Sequence, residues 1–417
     1  MYHSVDSEKG KGGIFVDEFE EHIKWIKDKK TFKMEELKGL DYKLPKNSIL
    51  ITFDDGYKNN YTLAFPILKK YNMKATIFLN TKFIEKDDAY LNWAEIREMY
   101  ESGLVDFQLH THSHQLTIKN IDVLDFYDEE SSPYFKRESY SLFFDGNYDE
   151  KRDAGKLNGL PVFKLRSKIS IPGYKAKKDF VEKYRNIVEP QENNMSEKEK
   201  KEFLNKLFKE RKDEFFDKIS EEQFKETVKF EILENKKIIS EKLGKIPDCL
   251  AYPWGHRYKG NRGDIKKLGV DIFITTRKGV NSLKLNKDWI YRVSGDDFEN
   301  FDEKVVFLSQ PLEEDESLTH EETVELYKKI FKNYNESDML FKLHPRGIFT
   351  YKDEFPEMEI FTSKIPFQIF EYMGVYFDTV ATIYSTAVWD IKNARKIDFF
   401  GTKVHPKLLA QFGNIEK

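Results

Sequence analysis

The sequence predicts an α/β protein built on parallel strands, and three observations carry that expectation. Short apolar runs with strand composition alternate with helix-like segments over the first 115 residues. Acids and histidines stand directly after those runs, at Asp54, Asp55 and His110. A second, shorter alternation begins near residue 302. In a (β/α) barrel the functional side chains gather at the C-terminal ends of the strands, which is where these residues fall.

The elements follow in chain order. In "DEFEEHIKWIKDKK", Phe19, Ile23 and Ile26 recur at three- and four-residue spacing and predict a helix. "SILITF" (48–53), "KATIFLN" (74–80) and "LVDFQLH" (104–110) read as strands. "LAFPILKKY" becomes helical after its proline, and "NWAEIREMYESG" reads as a helix stopped by Gly103. Residues 115–225 break the pattern and are expected to be a charged insertion, helical toward its end. The alternation resumes with "FEILENKKIISEKLG", "CLAYPWG", "VDIFITT" and "WIYRVSG". Two domains are expected, 1–300 with the insertion and 302–417. In the second, "KVVFLSQP", "DMLFKLHP", "DTVATIYST" and "KIDFFG" supply strands. "THEETVELYKKIFKNY" is an amphipathic helix with Val324, Tyr327, Phe331 and Tyr334 on one side.

Composition narrows the function classes. At 417 residues, 39% hydrophobic, the chain is long enough for two or three cores. With 69 basic and 73 acidic residues it has no net positive field, so no nucleic-acid partner is expected. Cys249 is the only cysteine, so no intrachain disulfide forms. The opening "MYHSVDSEKG" lacks a basic start followed by an apolar core, and no apolar run approaches the roughly 20 residues that cross a bilayer. A cytoplasmic enzyme, or a membrane-peripheral one, is expected.

"ITFDDG" ends an apolar run with two acids and a glycine, a combination that ordinary Asp-Gly turns also show. "HTHSH" changes its meaning. It places His110, His112 and His114, three of the nine histidines, within five residues. On an extended strand all three share one face; on a turn of helix His110 and His114 converge. Either geometry presents two imidazoles to one ion. Two imidazoles and one carboxylate make a catalytic zinc set with open positions. A second carboxylate beside it can accept a proton from water. The two aspartates would then do different jobs.

"ITFDDG" and "HTHSH" together resemble the first two motifs of the polysaccharide deacetylase family, the NodB-homology group of carbohydrate esterase family 4. "CLAYPWG" resembles its third motif, and "ITTRKGVN" followed by "YRVSG" is similar to the end of that domain. The likeness covers about 1–115 and 225–296 and implies a distorted (β/α) barrel with fewer than eight strands. It implies Asp54 as catalytic base and Asp55, His110 and His114 as ligands of a divalent metal, most simply zinc. His112 would be a bystander or a supporting group. Tyr252, Pro253, Trp254 and Arg292 are expected at the substrate. The motif arginine that orients the aspartate in many members is replaced by Ala251, which leaves Arg292 to do so. The late histidine that serves as general acid is missing before residue 300. "MYHSV" resembles a permuted subgroup in which an early Tyr-His pair supplies it, so His3 takes that role.

The C-terminal order of strand, acidic loop, helix, "LHPR" and "STA" resembles the nucleotide-binding half of bacterial sialyltransferases of glycosyltransferase family 52, over about 302–400. The resemblance implies a Rossmann-like unit that binds CMP-sialic acid. His344, beside Pro345, would contact the phosphate or act as acid, Ser385 and Thr386 would hold the phosphate, and Asp315 would be the base. Those enzymes have two such halves, and one is visible here. From the residues alone, His344 reads as a loop histidine and Ser385 as a helix cap. The expected function is metal-dependent removal of acetyl groups from sugars of a bacterial surface polysaccharide or its precursor. The alternatives are deacylation or deformylation of a nucleotide-linked sugar, sialyl transfer with the barrel as a glycan-binding domain, or a non-catalytic carbohydrate-binding scaffold.

Overall fold

The helical stripe of Phe19, Ile23 and Ile26 forms α1 (Val16–Ile26) in the computed structural model, with all three side chains buried. The structure describes residues 1–9, 12–128, 139–145, 148, 150–153, 155–188, 190–191, 195–277, 281–295, 305–335, 339–356, 358–361, 366–367, 370, 377–389, 391 and 394–416. Three apolar runs become parallel strands, β1 (Ile51–Phe53), β2 (Ala75–Leu79) and β3 (Val105–Leu109), with Ile51 opposite Ala75 and Ala75 opposite Val105. Every residue of the three is buried, as a sheet covered on both faces requires. The connections are α2 (Phe65–Lys70) and α3 (Trp93–Glu101). A reciprocal cap starts α3: Glu95 N–H donates to Asn92 Oδ1 and Asn92 N–H to the Glu95 carboxylate, both at 3.0 Å. Gly103, at φ +76°, ends that helical stretch.

The stretch expected as a charged, partly helical insertion is an α+β unit. β4 (Leu116–Phe126), β5 (Pro161–Ser167), β6 (Tyr174–Ala176) and β7 (Phe216–Lys218) form an antiparallel sheet in the order β7-β6-β4-β5. α4 (Phe180–Val188) and α5 (Glu197–Glu210) set Phe180, Tyr184, Leu204 and Phe208 against Phe163, Phe215 and Phe216. The strands escaped sequence reading because β4 pairs through repeated register shifts, which break the two-residue alternation.

The chain then returns to the first sheet. α6 (Glu221–Leu243) is capped by Ser220, whose Oγ accepts from Gln223 N–H at 3.1 Å, and ends at Gly244 in a left-handed turn. β8 (Cys249–Ala251) and β9 (Ile272–Ile274) extend the sheet to the order β9-β8-β3-β2-β1, the curled parallel sheet of a half barrel. "WIYRVSG", expected as a strand, contributes only a bridge between Ile290 and Ile274. The Asn281 side chain takes both the N–H and the C=O of Tyr291, at 2.9 Å each, so no ladder continues there. At the other edge Tyr2 bridges to Phe53. Met1 N donates to Val293 O and Gly295 N–H to Met1 O, both at 2.7 Å. Backbone hydrogen bonds therefore link the two edges, and residues 1–2 act as a stave of the barrel.

The C-terminal sheet is separate and parallel throughout. β10 (Val305–Leu308), α7 (His320–Phe331), β11 (Met339–Lys342), β12 (Glu359–Phe361), β13 (Phe377–Thr382) and β14 (Ala394–Phe399) follow one another, and the strand order is β12-β11-β10-β13-β14. Phe307, Tyr327, Phe331 and Phe341 fill the core beneath α7. The order reverses between β10 and β13, which opens a crevice at their C-terminal ends. Among the described residues, no helix is long and apolar enough to cross a membrane.

Candidate active site and metal centre

Asp54 and Asp55 follow β1 directly, and the backbone explains how both reach one cavity. On an extended strand they would face opposite sides. Asp55 is instead left-handed, at φ 74°, and Gly56 follows at 77°. Thr111, His114 and Trp254 are left-handed too, at 70°, 54° and 59°. Each such non-glycine residue costs about 1–3 kcal/mol, and such strain concentrates at functional sites. Asp55, His114 and Trp254 line one cavity of about 790 Å³, whose walls also include His3, Asp54 and His110.

The histidine motif is neither strand nor helix. β3 stops at Leu109, and the turn brings His110 and His114 together at a ring separation of 4.9 Å. Their Nε2 atoms lie 3.5 and 3.6 Å from Asp55 Oδ1. The three donor atoms fall within 4.8 Å of one another, and all three residues are buried. Two supports prepare the set. His110 Nδ1 lies 2.8 Å from Ala251 O, so this nitrogen carries the proton and Nε2 keeps its lone pair. Asn80 Nδ2 holds Asp55 Oδ1 at 2.8 Å. Burial pushes the His114 imidazole down to about 4, against the pull of Asp55, so it is a neutral ligand at physiological pH. One carboxylate and two neutral imidazoles fit a divalent cation of the zinc type. His112 stays outside the set, with Nδ1 3.0 Å from Thr81 Oγ1.

Asp54 sits in a different field. Arg292 donates to it through both arms, Nη1 to Oδ1 at 2.6 Å and Nη2 to Oδ2 at 2.7 Å. Burial alone would raise the carboxyl; the Arg292 charge outweighs it and holds Asp54 well below the usual carboxylate range. Arg292 is 7% exposed and does not line the cavity, so its placement corrects the expectation of a sugar contact. Tyr252 and Pro253 are corrected likewise. Both are buried, and Tyr252 stacks on Phe273 at 5.8 Å. Trp254 does face the cavity, with its ring 4.9 Å from His114 and its Nε1 donating to His114 O at 3.3 Å. His3 lines the same cavity, placed there by the Tyr2 stave and by Asn60 Nδ2 donating to its carbonyl at 2.9 Å.

Sequence reasoning missed several groups. Tyr57 and Tyr90 stack at 5.1 Å on the cavity wall, beside Asp6 and Asn59. On α6, Glu231 and Asn235 clamp the histidine turn. Asn235 Oδ1 accepts from His110 N–H at 3.1 Å, and Glu231 accepts from Ser113 N–H at 2.8 Å and Ser113 Oγ at 2.7 Å. Their signal was two polar residues four apart on the apolar face of a helix.

The C-terminal crevice holds a second cavity of about 270 Å³, lined in part by Ser309, Lys342, His344, Pro345, Ser385 and Thr386. His344 N–H donates to Ser309 Oγ at 2.7 Å, and His344 Nδ1 accepts from Arg346 N–H at 3.2 Å, which leaves the ring proton on Nε2. Ser385 caps a single 3₁₀ turn, Thr386–Val388, rather than the expected helix. Asp315 does not line this cavity. Both its oxygens are taken by Arg346, at 2.9 and 3.0 Å, so the expected base is diverted into an ion pair on the rim. Lys342, unforeseen, is a buried cation at the end of an apolar strand.

Two family models match this chain in different regions. Residues 41–138 match the family model described as polysaccharide deacetylase, and residues 289–408 match that of glycosyltransferase family 52. A Haemophilus influenzae protein of unassigned function is 43% identical over 114 residues, covering 27% of this chain and 37% of that protein. A poly-beta-1,6-N-acetyl-D-glucosamine N-deacetylase of Staphylococcus aureus is 38% identical over 119 residues, covering 26% of this chain and 40% of the relative. The chain thus spans less than half the length of these curated relatives. Among solved structures, a de-N-acetylase from Aggregatibacter actinomycetemcomitans superposes with a TM-score of 0.45 at 16% identity, over 70% of this chain and 92% of that one. The BpsB deacetylase domain from Bordetella bronchiseptica gives 0.43 at 17%, over 70% and 88%.

Proposed function

We propose that the barrel removes acetyl groups from sugars of a bacterial surface polysaccharide or its precursor, with a divalent metal, zinc in the simplest case, held by Asp55, His110 and His114. The observation that carries this reading is one cavity in which that donor set adjoins a carboxylate, Asp54, clamped by Arg292. The match of residues 41–138 to the deacetylase family supports it. A bound ion supplies Lewis-acid polarisation of the acetyl carbonyl and lowers the pKa of water. Asp54, kept ionised, takes a proton from the water that adds to that carbonyl. His3, in the same cavity, gives a proton to the departing sugar amine or alcohol as the carbon–nitrogen or carbon–oxygen bond breaks. Products are acetate and the deacetylated sugar. Tyr57, backed by Tyr90, and Trp254 offer flat faces for sugar rings. The test is metal content together with acetate release from partly acetylated glucosamine oligomers. Metal-free release, or no release from any acetylated glycan, would remove this reading.

The C-terminal crevice favours a second activity or an alternative one, recognition of a cytidine nucleotide as in sialyl transfer. Its support is the match to family 52 and the convergence of Ser309, Lys342, His344 and Ser385 on one cavity. With Asp315 held by Arg346, binding is expected more than transfer. Calorimetry of the full chain with CMP decides: affinity in the micromolar to millimolar range, reduced by His344→Ala with Ser385→Ala, is expected. Absence of heat at millimolar CMP would leave the crevice without this role. The domain division at about residue 300 and a cytoplasmic or membrane-peripheral location complete the proposal.

A further inference from the structure

The chain carries a net charge of -4, yet one concavity gathers three arginines. Arg257, Arg262 and Arg277 set their guanidinium carbons 5.3, 5.9 and 5.0 Å from the centroid of the Trp289 ring. With Asn281 and Tyr291 they line a cavity of about 520 Å³. Stacking on one indole offsets only part of the repulsion among three like charges. Arg262 has Asp288 at 3.8 Å, but Asp288 is shared with Lys266 at 2.6 Å. Among the described residues, no carboxylate lies within ion-pair distance of Arg257 or Arg277. Among the described residues, Arg257 and Arg277 therefore bring to the pocket positive charge that no carboxylate pairs, in a fixed frame. Asn281 is tied to the Tyr291 backbone on one side, and His256 Nδ1 accepts Ser167 N–H at 3.0 Å on the other.

Its place matters as much as its charge. Gly255 and Thr276 line the catalytic cavity. A Cβ added at Gly255 would lie 2.0 Å from Thr276 Oγ1, so the two loops touch there. Arg257 and Arg277 come two residues and one residue further along those same loops. The two cavities are therefore lined by neighbouring residues of the same two loops.

We propose that this pocket is an anion subsite of the cleft, taking a carboxylate or phosphate group of an acidic glycan whose acetylated sugar occupies the catalytic cavity. Planar guanidinium forks suit both anions, and the Trp289 edge and Asn281 amide suit the sugar that bears them. The assignment of the occupant as substrate rests on the deacetylase reading; anion binding itself does not.

The experiment uses the full chain. Calorimetry measures inorganic phosphate and glucuronic acid separately, on the parent and on Arg257→Ala with Arg277→Ala, both exposed enough to be replaced without opening the core. Millimolar binding of at least one anion is expected, at least tenfold weaker in the double variant and weaker in higher salt. Phosphate alone, glucuronate alone or both each support the subsite and name its charge group. Binding of neither, or binding that survives both substitutions, overturns it. Acetate release is then compared between hyaluronan tetrasaccharide, which alternates carboxylate and N-acetyl sugars, and neutral chitotetraose. The parent should show the lower KM for the acidic oligomer, and the double variant should lose that preference with kcat and metal content unchanged. Arginine-dependent anion binding without acetate release would strike the deacetylase reading and leave the subsite. Acetate release without arginine-dependent binding would do the reverse.

Discussion

The barrel cavity and the C-terminal crevice hold comparable residue types and treat them differently. In the barrel, three groups of the site have partners that fix them: Arg292 on Asp54, Ala251 O on His110, Asn80 on Asp55. The partners are buried, so their fields are little screened. In the crevice, Asp315 and Arg346 pair with side chains 35% and 61% exposed, and the cavity is a third the size. Preorganised charge is what a reaction needs; a ring of donors on a parallel sheet is what a phosphate needs. On the proposed function, the difference separates a site built for chemistry from one built for recognition.

The largest expected effect lies in the barrel. Asp54→Asn should keep the metal and lose about 10²–10⁴-fold in turnover, the range for removing a general base. His114→Ala should lose the metal itself, read by metal analysis. Equal metal loss in both variants would merge the two roles and break the division of labour between the aspartates.

The clamps sharpen the comparison through stability. Arg292→Met leaves Asp54 buried without its cation and should cost about 3–5 kcal/mol in denaturant unfolding. Adding Asp54→Asn should restore part of it. Arg346→Ala, in the exposed pair, should cost no more than ~1 kcal/mol. Similar losses at the two sites would show that the crevice is as rigidly organised as the barrel.

The sequence was most legible where one local rule sufficed. β1 and β2 are short and mostly apolar, β3 alternates apolar residues with Asp106 and Gln108, and all three are bounded by turns, so their existence and order were plain. Asp54, Asp55, His110 and His114 were legible because they stand at the ends of those strands. What joined them was not. The left-handed turns at Asp55 and His114 depend on support from Asn80, Glu231 and Asn235, residues 25 to 125 positions away from what they hold. The antiparallel sheet of the insertion was hidden by the shifting register of β4 and by charge on its exposed face. Arg292 was foreseen beside Asp54 but also assigned to sugar, because sequence separation does not tell which end of a fork faces a cavity.

Smaller effects remain. His3→Ala should lower kcat on N-acetyl amides by about 10²-fold or more, and less on activated esters, whose leaving groups need no proton. Equal losses on both would make His3 a part of the N-terminal stave only. In the crevice unit, His320 lies 3.0 Å from Glu354 and 3.3 Å from Glu313, and the hydrogen bond to Glu354 leads in raising its pKa against partial desolvation. A raised folded value stabilises fully below the unfolded pKa of about 6.5 and is lost as pH rises through the folded one. The side chain is 27% exposed and its leading partner, Glu354, sits near the surface, so the contribution should stay near or below ~1 kcal/mol. Unfolding of the parent and of His320→Gln should converge as pH rises toward 8; a gap that widens would reverse the assignment.

The central claim is that one divalent ion in the Asp55–His110–His114 set is required for acetyl removal beside Asp54. The direct measurement strips the protein with a chelator and titrates zinc back while following acetate release from partly acetylated glucosamine oligomers. Release should be absent from the stripped protein, rise in proportion to added zinc and level off at one equivalent per chain. Full release before any metal is added, or a rise that ignores His110→Ala, would contradict it.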